Sequence, residues 1–296
     1  MSTGPTAHRR TPDHGAAPAI PCPDADLAAT AHLGPSPSGP RPPDPTDDFW
    51  TALRRTTQAR IGLGRTGDAL PTTDVLTLRT AHAAARDAVH VPLDVEIFTA
   101  QIASMGLGTP LTVTSRAADR SEYLRRPDLG RLPADLSGLG NDGADIGVVL
   151  ADGLSARALT DHAAGLLAAL ADELADRYTL APPVVATQAR VALGDHIGAA
   201  LGVRTVLVLI GERPGLSVAD SLGVYLTHDP RPGRADAERN CVSNIHPPGG
   251  LTYTDAARVV AGLVAGARAL GRSGVALKDE TRTATPIARA DSDTLE

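Results

Sequence analysis

Three glycines near the start of the chain have the spacing of a dinucleotide-binding loop. Gly62, Gly64 and Gly67 form the pattern G-x-G-x-x-G, in which glycine lets the backbone approach a pyrophosphate at a helix N-terminus. Such a loop follows a strand and opens a helix. Here residues 54–60 are polar and helix-like, and Pro71 follows soon after. The context therefore argues against a nicotinamide or flavin site.

Two acidic residues beside glycine stand directly after runs of apolar, β-branched residues. Asp152-Gly153 follows residues 146–151, and Gly211-Glu212 follows residues 204–210. Ligands of open α/β sheets bind outside the carboxyl ends of the strands, so these two loops are candidates for the ligand-facing edge. The alternative is that Asp-Gly and Pro-Gly sequences simply make turns.

Other common catalytic patterns are missing from the sequence. Gly-x-Ser-x-Gly, His-Glu-x-x-His and Cys-x-x-Cys are absent, and these are typical signals of hydrolase nucleophiles and zinc sites. Lys278, the one lysine, lies in a polar stretch, which argues against a Schiff-base or phosphate-loop lysine. His196 and His246 are interpreted as polar surface or loop residues. We therefore predict no metal site.

Composition and charge narrow the possible partners. The net charge is −6 and the arginines are scattered, so no basic stripe predicts nucleic-acid binding. The longest apolar runs, such as residues 206–210, are far shorter than the roughly 20 residues of a membrane-spanning helix. Cys22 and Cys241 lie far apart, and no apolar secretory core follows the N-terminus. These features indicate a cytoplasmic, reducing setting.

Hydrophobic patterning divides the chain into four parts. Residues 1–47 are rich in Pro, Gly and Ser without apolar periodicity, which predicts a disordered N-terminal tail. Residues 48–143 read as mostly helical. Residues 144–271 alternate short apolar runs with amphipathic stretches, and residues 272–296 read as a flexible polar tail. The fold class predicted is α/β, with a helical N-terminal region followed by a Rossmann-like α/β domain and a mainly parallel sheet.

Particular helix positions can be predicted in the first half. A short helix beginning near Asp48 is expected to bury the rings of Phe49 and Trp50 and so anchor the tail. Thr73 is expected to cap a second helix, and Pro92 to lie in the first turn of a third.

The second half predicts the sheet and the helices that cover it. Apolar runs of strand length alternate with stretches that have one apolar helical face. The predicted strands are residues 146–151, 183–191 and 204–210. The predicted helices are one carrying Leu159, Leu166, Leu167, Leu170 and Leu174, one at residues 195–201 and one at residues 254–270.

Five separate phrases of the sequence are more specific together than any single motif. They are ARIGLGRTG at 59–67, YLRRPDLGR at 123–131, ADGLS at 151–155, IGERPGL at 210–216 and CVSNIH at 241–246. In this order and spacing they resemble the small (light) subunit of ethanolamine ammonia-lyase, and the resemblance runs from about residue 49 to about residue 271.

The resemblance implies that the chain acts as one part of a complex. The family reaction converts ethanolamine to acetaldehyde and ammonia, and the radical chemistry belongs to adenosylcobalamin. The substrate site is expected in the large subunit, so no catalytic residue is expected in this chain. The implied assembly is a dodecamer of six large and six small subunits. Because the sequence lacks an Asp-x-His-x-x-Gly motif, the cofactor's own dimethylbenzimidazole is expected to remain the lower cobalt ligand.

Matching positions imply cobalamin contacts at Val191, Glu212 and Cys241. Val191 is expected to pack on the apolar corrin, and the Glu212 carboxylate to accept hydrogen bonds from its amide rim. Cys241 is expected to offer backbone or a small side chain rather than a reactive thiolate. From the residues alone, Val191 could equally be a core residue. Glu212 could equally pair with Arg213 or another arginine.

Two rival functions remain open on the sequence. One is an autonomous α/β enzyme that binds a nucleotide at the Asp152 and Glu212 loops, and the other is a purely structural subunit that never touches the cofactor.

Two localisations also remain open, the cytoplasm and a bacterial microcompartment. Some family members enter a bacterial microcompartment through an N-terminal helix, but residues 1–46 lack amphipathic periodicity and do not predict that address.

Overall fold

The fold is built from seven helices and six strands within the residues that the structure describes. The computed structural model describes residues 45–279 and Thr281, with side chains from Phe49 onward, so residues 1–44 of the predicted tail lie outside it. The described residues after Pro45 belong to one compact unit. In chain order the elements are α1 (Pro45–Arg54), α2 (Thr72–His90), α3 (Val95–Ala103), β1 (Leu111–Thr114), α4 (Arg120–Arg125), β2 (Ile146–Ala151), α5 (Ala156–Leu174), β3 (Val184–Thr187), α6 (Leu193–Leu201), β4 (Thr205–Gly211), β5 (Leu222–His228), β6 (Asn240–Ile245) and α7 (Tyr253–Leu270).

All six strands join one sheet in the order β1-β3-β2-β4-β5-β6. The strands β1, β3, β2 and β4 run parallel to one another, and β5 and β6 extend the β4 edge as an antiparallel pair. The predicted α/β class with a mainly parallel sheet is therefore confirmed. The strands β1, β5 and β6 are additional to the three predicted from the sequence.

Helices cover the two faces of the sheet unequally. On one face, α5 and α7 bury an apolar layer that extends across β2, β4, β5 and β6. On the other face, α6 packs on β2 and β4, and a smaller cluster with Leu193, Ile197, Val206 and Val208 fills the contact. The helices therefore cover fewer strands on the second face than on the first.

The most strongly patterned elements were predicted correctly. The strand β2 has the predicted bounds, and all six of its residues are buried. The five leucines predicted on one face of α5 are all buried. The helix α7 begins one residue before the predicted start, after Thr252, whose side chain accepts a hydrogen bond from the Asp255 N–H at 3.1 Å. The helix α6 begins two residues early.

Two helix starts in the first half differ from the prediction. Thr73 makes no cap, because Pro71 is the residue before α2 and no side chain caps this helix. The helix α3 begins after Asp94, whose carboxylate accepts a hydrogen bond from the Ile97 N–H at 3.1 Å, so Pro92 precedes the helix. An aspartate at the N-cap satisfies a free N–H that proline in the first turn cannot.

The ring anchor predicted at α1 is half correct. Trp50 is half-buried, whereas Phe49 is 58% exposed. The ring of Trp50 packs where a side chain at Gly62 would stand. The predicted short helix is present, but it begins at Pro45, three residues before the expected Asp48.

Part of the predicted C-terminal tail is ordered against the body. The backbone N–H of His228 donates to Ser273 Oγ at 2.9 Å, and Asn240 Nδ2 donates to the carbonyls of Gly274 and Leu277 at 3.2 and 3.3 Å. Leu277 is buried in the core. The prediction of a flexible tail from residue 272 is therefore wrong for residues 273–277.

A buried ion pair ties α6 to the turn before β6. Arg239 Nη2 lies 2.7 Å from Asp195 Oδ2, and the two side chains are 2% and 3% exposed. Burial raises the pKa of Asp195 to about 6 against the opposing charge of Arg239, so both groups are charged at neutral pH. Removing one partner of such a pair leaves an uncompensated buried charge.

Asp195→Ala is expected to lower the free energy of unfolding by about 3–5 kcal/mol at pH 7.5, because Arg239 loses its buried counter-charge. Urea denaturation of variant and parent measures the difference. The control is Asp161→Ala, which breaks an exposed pair with Arg157 and is expected to change stability by less than about 1 kcal/mol. Similar small losses in both variants would contradict the assignment.

Candidate functional site

The uncovered part of the sheet lies on the α6 side of β5 and β6. Cys241 and Ser243 of β6 are exposed there, and Tyr225 of β5 is half-buried. Tyr225 packs against the same apolar cluster as α6 and pairs with Cys241 across the strands. We call this surface, which comprises Tyr225, Cys241, Ser243 and the buried Gly223, the open face.

Glu212 lies at the edge of the open face, directly after the C-terminal end of β4. Its Oε2 accepts a hydrogen bond from Ser221 Oγ at 2.6 Å and from the Asn244 N–H at 3.3 Å. The side chain lies across Gly223, where an added Cβ would stand 3.0 Å from Oε1. Among the described residues no arginine pairs with Glu212, so the ion pair with Arg213 considered from the sequence is wrong.

A β-bulge in β6 turns the backbone of Asn244 toward Glu212. The register shifts between Leu222 and Val224 of the partner strand, and Asn244 has a left-handed φ of 62°. His246 Nε2 hydrogen-bonds Asn244 Oδ1 at 2.8 Å and is buried. Bulges commonly re-aim groups next to functional sites. His246, interpreted from the sequence as a surface or loop residue, therefore supports this bend from a buried position.

Cys241 lies in strand β6, not in a loop. Burial is the largest influence on the pKa of its thiol and raises it, the nearby Glu212 charge adds to this shift, and the Tyr225 hydroxyl opposes it. Burial and Cys241 together raise the pKa of Tyr225 to about 12. Both groups are therefore protonated at neutral pH. The mutual influences on these pKa values place Cys241, Tyr225 and Glu212 within electrostatic reach of one another.

Val191 stands between β3 and α6 on the same side of the sheet as the open face. It is half-buried and packs against the same apolar cluster as Tyr225. The strand β3 ends at Thr187, earlier than the predicted residue 191, because Gln188 has a φ of 52°, which is left-handed and interrupts a strand. Residues 188–191 therefore form a bent segment, which we call the Val191 segment.

Asp152 fixes the Val191 segment from beneath the sheet edge. Its carboxylate accepts hydrogen bonds from the N–H groups of Gln188 and Ala189 at 2.8 and 2.9 Å, and Arg120 Nη1 lies 3.5 Å from Oδ2. Burial is the largest influence on the Asp152 pKa and raises it, while these donors and Arg120 oppose the shift. The acceptors of Asp152 are thus committed to backbone and arginine.

The Asp152 loop packs closely against the loop that follows β4. An added Cβ at Gly153 would stand 2.3 Å from the carbonyl oxygen of Gly211, and one at Gly211 would stand 2.0 Å from that of Ser155. The two loops at the ends of β2 and β4 therefore touch backbone to backbone. Of the two candidate ligand loops identified in the sequence, the Glu212 loop borders the open face and the Asp152 loop is a structural support.

Tyr123 secures the Val191 segment from its other side. Its buried hydroxyl donates to the carbonyl of Ala189 at 3.0 Å, and the guanidinium groups of Arg120 and Arg190 lie 4.8 and 4.4 Å from the ring centroid. Gly130 completes the stack, because an added Cβ would meet both Tyr123 and Arg190 at 2.9 Å. Cation–π contacts of this kind stabilise desolvated arginines.

Gly62 has a packing role that explains its place in the G-x-G-x-x-G pattern. It follows α1 with no strand before it, its φ is 60°, and an added Cβ would lie 2.2 Å from the Trp50 ring. Arg60 Nη1 donates to the carbonyl of Leu216 at 3.0 Å. The segment therefore packs against the loop that follows Glu212.

Ser221, Gly223 and Tyr225 are site residues that sequence reasoning missed. Ser221 meets Glu212 because the chain reverses between β4 and β5, and no local pattern marks that reversal as a contact.

Within residues 45–279 and Thr281, no group of three or more His, Cys, Asp or Glu side chains could hold a metal ion. Over the same residues, no helix has the length and apolarity needed to cross a bilayer.

Comparison with known proteins gives one consistent family. The family described as ethanolamine ammonia-lyase light chain (EutC) matches residues 47–278. The ethanolamine ammonia-lyase small subunit of Rhodococcus erythropolis is 65% identical over 238 residues, covering 80% of this chain and 93% of that protein. The small subunits of Rhodopseudomonas palustris (strain BisA53) and Ralstonia nicotianae are 49% and 48% identical, covering 81% and 79% of this chain and 93% and 89% of theirs.

The family match spans all the elements that build the open face and the Val191 segment. The five phrases that carried the resemblance likewise lie within the matched residues. The chain belongs to the ethanolamine ammonia-lyase light-chain (small-subunit) family.

Proposed function

We propose that this chain binds adenosylcobalamin together with a large subunit, and that the pair converts ethanolamine to acetaldehyde and ammonia. The observation that carries the proposal is the open face, where Glu212 and Cys241 border a sheet surface without a covering helix. Val191 stands on the same side of the sheet. All three residues that the resemblance implied thus lie on one side of one sheet.

The chemistry of the open face fits a corrin ring. Corrin offers a broad apolar disc rimmed by amides, and such a ligand needs an apolar surface with a few placed polar groups. Val191 and the ring of Tyr225 supply apolar surface, and Gly223 leaves room for the Glu212 side chain that lies across it. Glu212 Oε1 makes no hydrogen bond to a described residue, so it is available to an amide N–H. When bound, adenosylcobalamin would supply the radical chemistry.

The chain's own residues bind and orient in this proposal and do not react. Cys241 and Tyr225 stay protonated at neutral pH, and Glu212 acts as a hydrogen-bond acceptor. The substrate site, and with it the catalytic residues, belongs to the large subunit. The name small subunit, carried by the relatives, implies such a partner. We propose six copies of each subunit in the assembly.

The autonomous nucleotide-binding enzyme is the weaker alternative. It required both the Asp152 and Glu212 loops to face a ligand, but Asp152 is 1% exposed and its carboxylate already accepts hydrogen bonds from the backbone and lies beside Arg120.

We place the protein in the cytoplasm, in keeping with its charge and cysteine usage. The segment that would decide entry into a microcompartment, residues 1–44, lies outside the described residues.

Co-expression with the large subunit is expected to give adenosylcobalamin-dependent release of acetaldehyde from ethanolamine, because the substrate site and the cofactor surface are on different chains. The assay compares the purified pair with each chain alone, with and without cofactor. Neither chain alone is expected to be active. Turnover by this chain in isolation would reject the subunit assignment.

Glu212→Ala in the assembled complex is expected to weaken adenosylcobalamin binding by roughly 1.5–3 kcal/mol, about tenfold or more, because a hydrogen bond to a charged acceptor is lost. Absorbance titration of the cofactor measures the dissociation constant, and size-exclusion chromatography checks assembly. Glu96→Ala, at an exposed glutamate of α3, serves as the control. Equal dissociation constants for Glu212→Ala and the parent complex would remove Glu212 from the cofactor site.

A further inference from the structure

The two oxygens of the Glu212 carboxylate are used differently. Oε2 accepts both hydrogen bonds that the structure gives this side chain, from Ser221 Oγ at 2.6 Å and from the Asn244 N–H at 3.3 Å. Oε1 accepts none from the described residues. The protein therefore occupies one oxygen and leaves the other as an acceptor beside the open face.

The Ser221 hydroxyl is not needed to close the loop in which it lies. The backbone already does so, because the Glu212 N–H donates to the Ser221 carbonyl at 2.9 Å and the next residues, Gly211 and Leu222, pair in the β4–β5 ladder. A serine side chain at this position therefore adds a contact to the carboxylate rather than a rung to the sheet.

Gly223 provides the space into which the carboxylate is held. An added Cβ there would stand 3.0 Å from Glu212 Oε1, which is a tight contact, and 3.4 Å from Cγ, which is an ordinary one. An alanine at this position would require the carboxylate to shift by a few tenths of an ångström. The Ser221 hydroxyl and the lack of a side chain at Gly223 thus act on the Glu212 side chain independently.

We infer that Ser221 is a positioning residue for cobalamin binding. Its hydroxyl, with the space above Gly223, holds Glu212 in the one orientation that presents Oε1 to an amide on the corrin rim. The inference rests on the proposed cofactor role of Glu212. Fixing an acceptor before the ligand arrives lowers the ordering cost of binding, which is the physical gain that the Ser221 hydroxyl supplies.

A double-mutant cycle in the assembled complex tests this inference. Dissociation constants for adenosylcobalamin are measured by absorbance titration for the parent, Ser221→Ala, Glu212→Ala and the double variant. Ser221→Ala is expected to weaken binding roughly three- to tenfold, and to cause no further loss when Glu212 is already alanine. Ser221→Thr, which keeps the hydroxyl, is expected to retain most of the affinity. Ser217→Ala, an exposed serine of the same loop, is the matched control.

The possible results separate the inference from the proposal beneath it. Loss of affinity in Glu212→Ala with none in Ser221→Ala overturns the role of Ser221 alone. An equal loss from Ser221→Ala in both backgrounds shows a merely structural serine and also overturns it. Parent-like affinity in Glu212→Ala instead rejects the cofactor role of Glu212.

Discussion

The open face exists because α6, on its side of the sheet, covers β2 and β4 but not β5 and β6. A sheet must bury the apolar face it presents, and α5 and α7 do this on one side across β2, β4, β5 and β6. On the other side α6 packs on β2 and β4, while β5 and β6 extend past it. The antiparallel pair therefore carries a mixed surface of glycine, tyrosine, cysteine and serine. A ligand or partner that supplies the missing cover is the simplest reason for such a surface.

Polar contacts hold in place the residues at the edge of the open face. Asp152 and Tyr123 hold the backbone of Ala189 from two directions, and the bulge at Asn244 brings its N–H to Glu212. Each of these groups is committed to the protein itself. Hydrogen bonds to the buried Asp152 and Tyr123 restrict the backbone beside Val191, and the Asn244 N–H restricts Glu212 at the surface. The phrases of the sequence that resemble the family are mainly these supports.

The sequence predicted the elements in which periodicity and burial coincide. The strand β2 is a continuous apolar run, and α5 and α7 each have one clear apolar face, so local pattern was sufficient. The strands β5 and β6 were missed because β6 alternates little and carries a bulge, and because an antiparallel hairpin was not expected after a parallel strand. Similarly, Thr73 and Pro92 were plausible helix starts, but Pro71 and Asp94 precede the actual helices.

The site divides in the same way. Val191, Glu212 and Cys241 came from the family resemblance, and their common side of the sheet became visible only with the register of β4, β5 and β6. Ser221 and Tyr225 could not be found from the sequence, since their partners lie nine and sixteen residues away across strand pairings. Asp152 was correctly located at the sheet edge, but the sequence left open whether it faces a ligand or makes a turn, because its backbone donors come from a segment 36 residues later.

The central claim is that the open face of β5 and β6 is completed by a corrin ring held mainly by a second polypeptide. A structure of the complex of both subunits with cobalamin tests it most directly. We predict that the corrin covers Tyr225 and Cys241, with Glu212 Oε1 within hydrogen-bond distance of a rim amide. A structure in which the large subunit's polypeptide fills the open face, with the corrin elsewhere, would contradict the account.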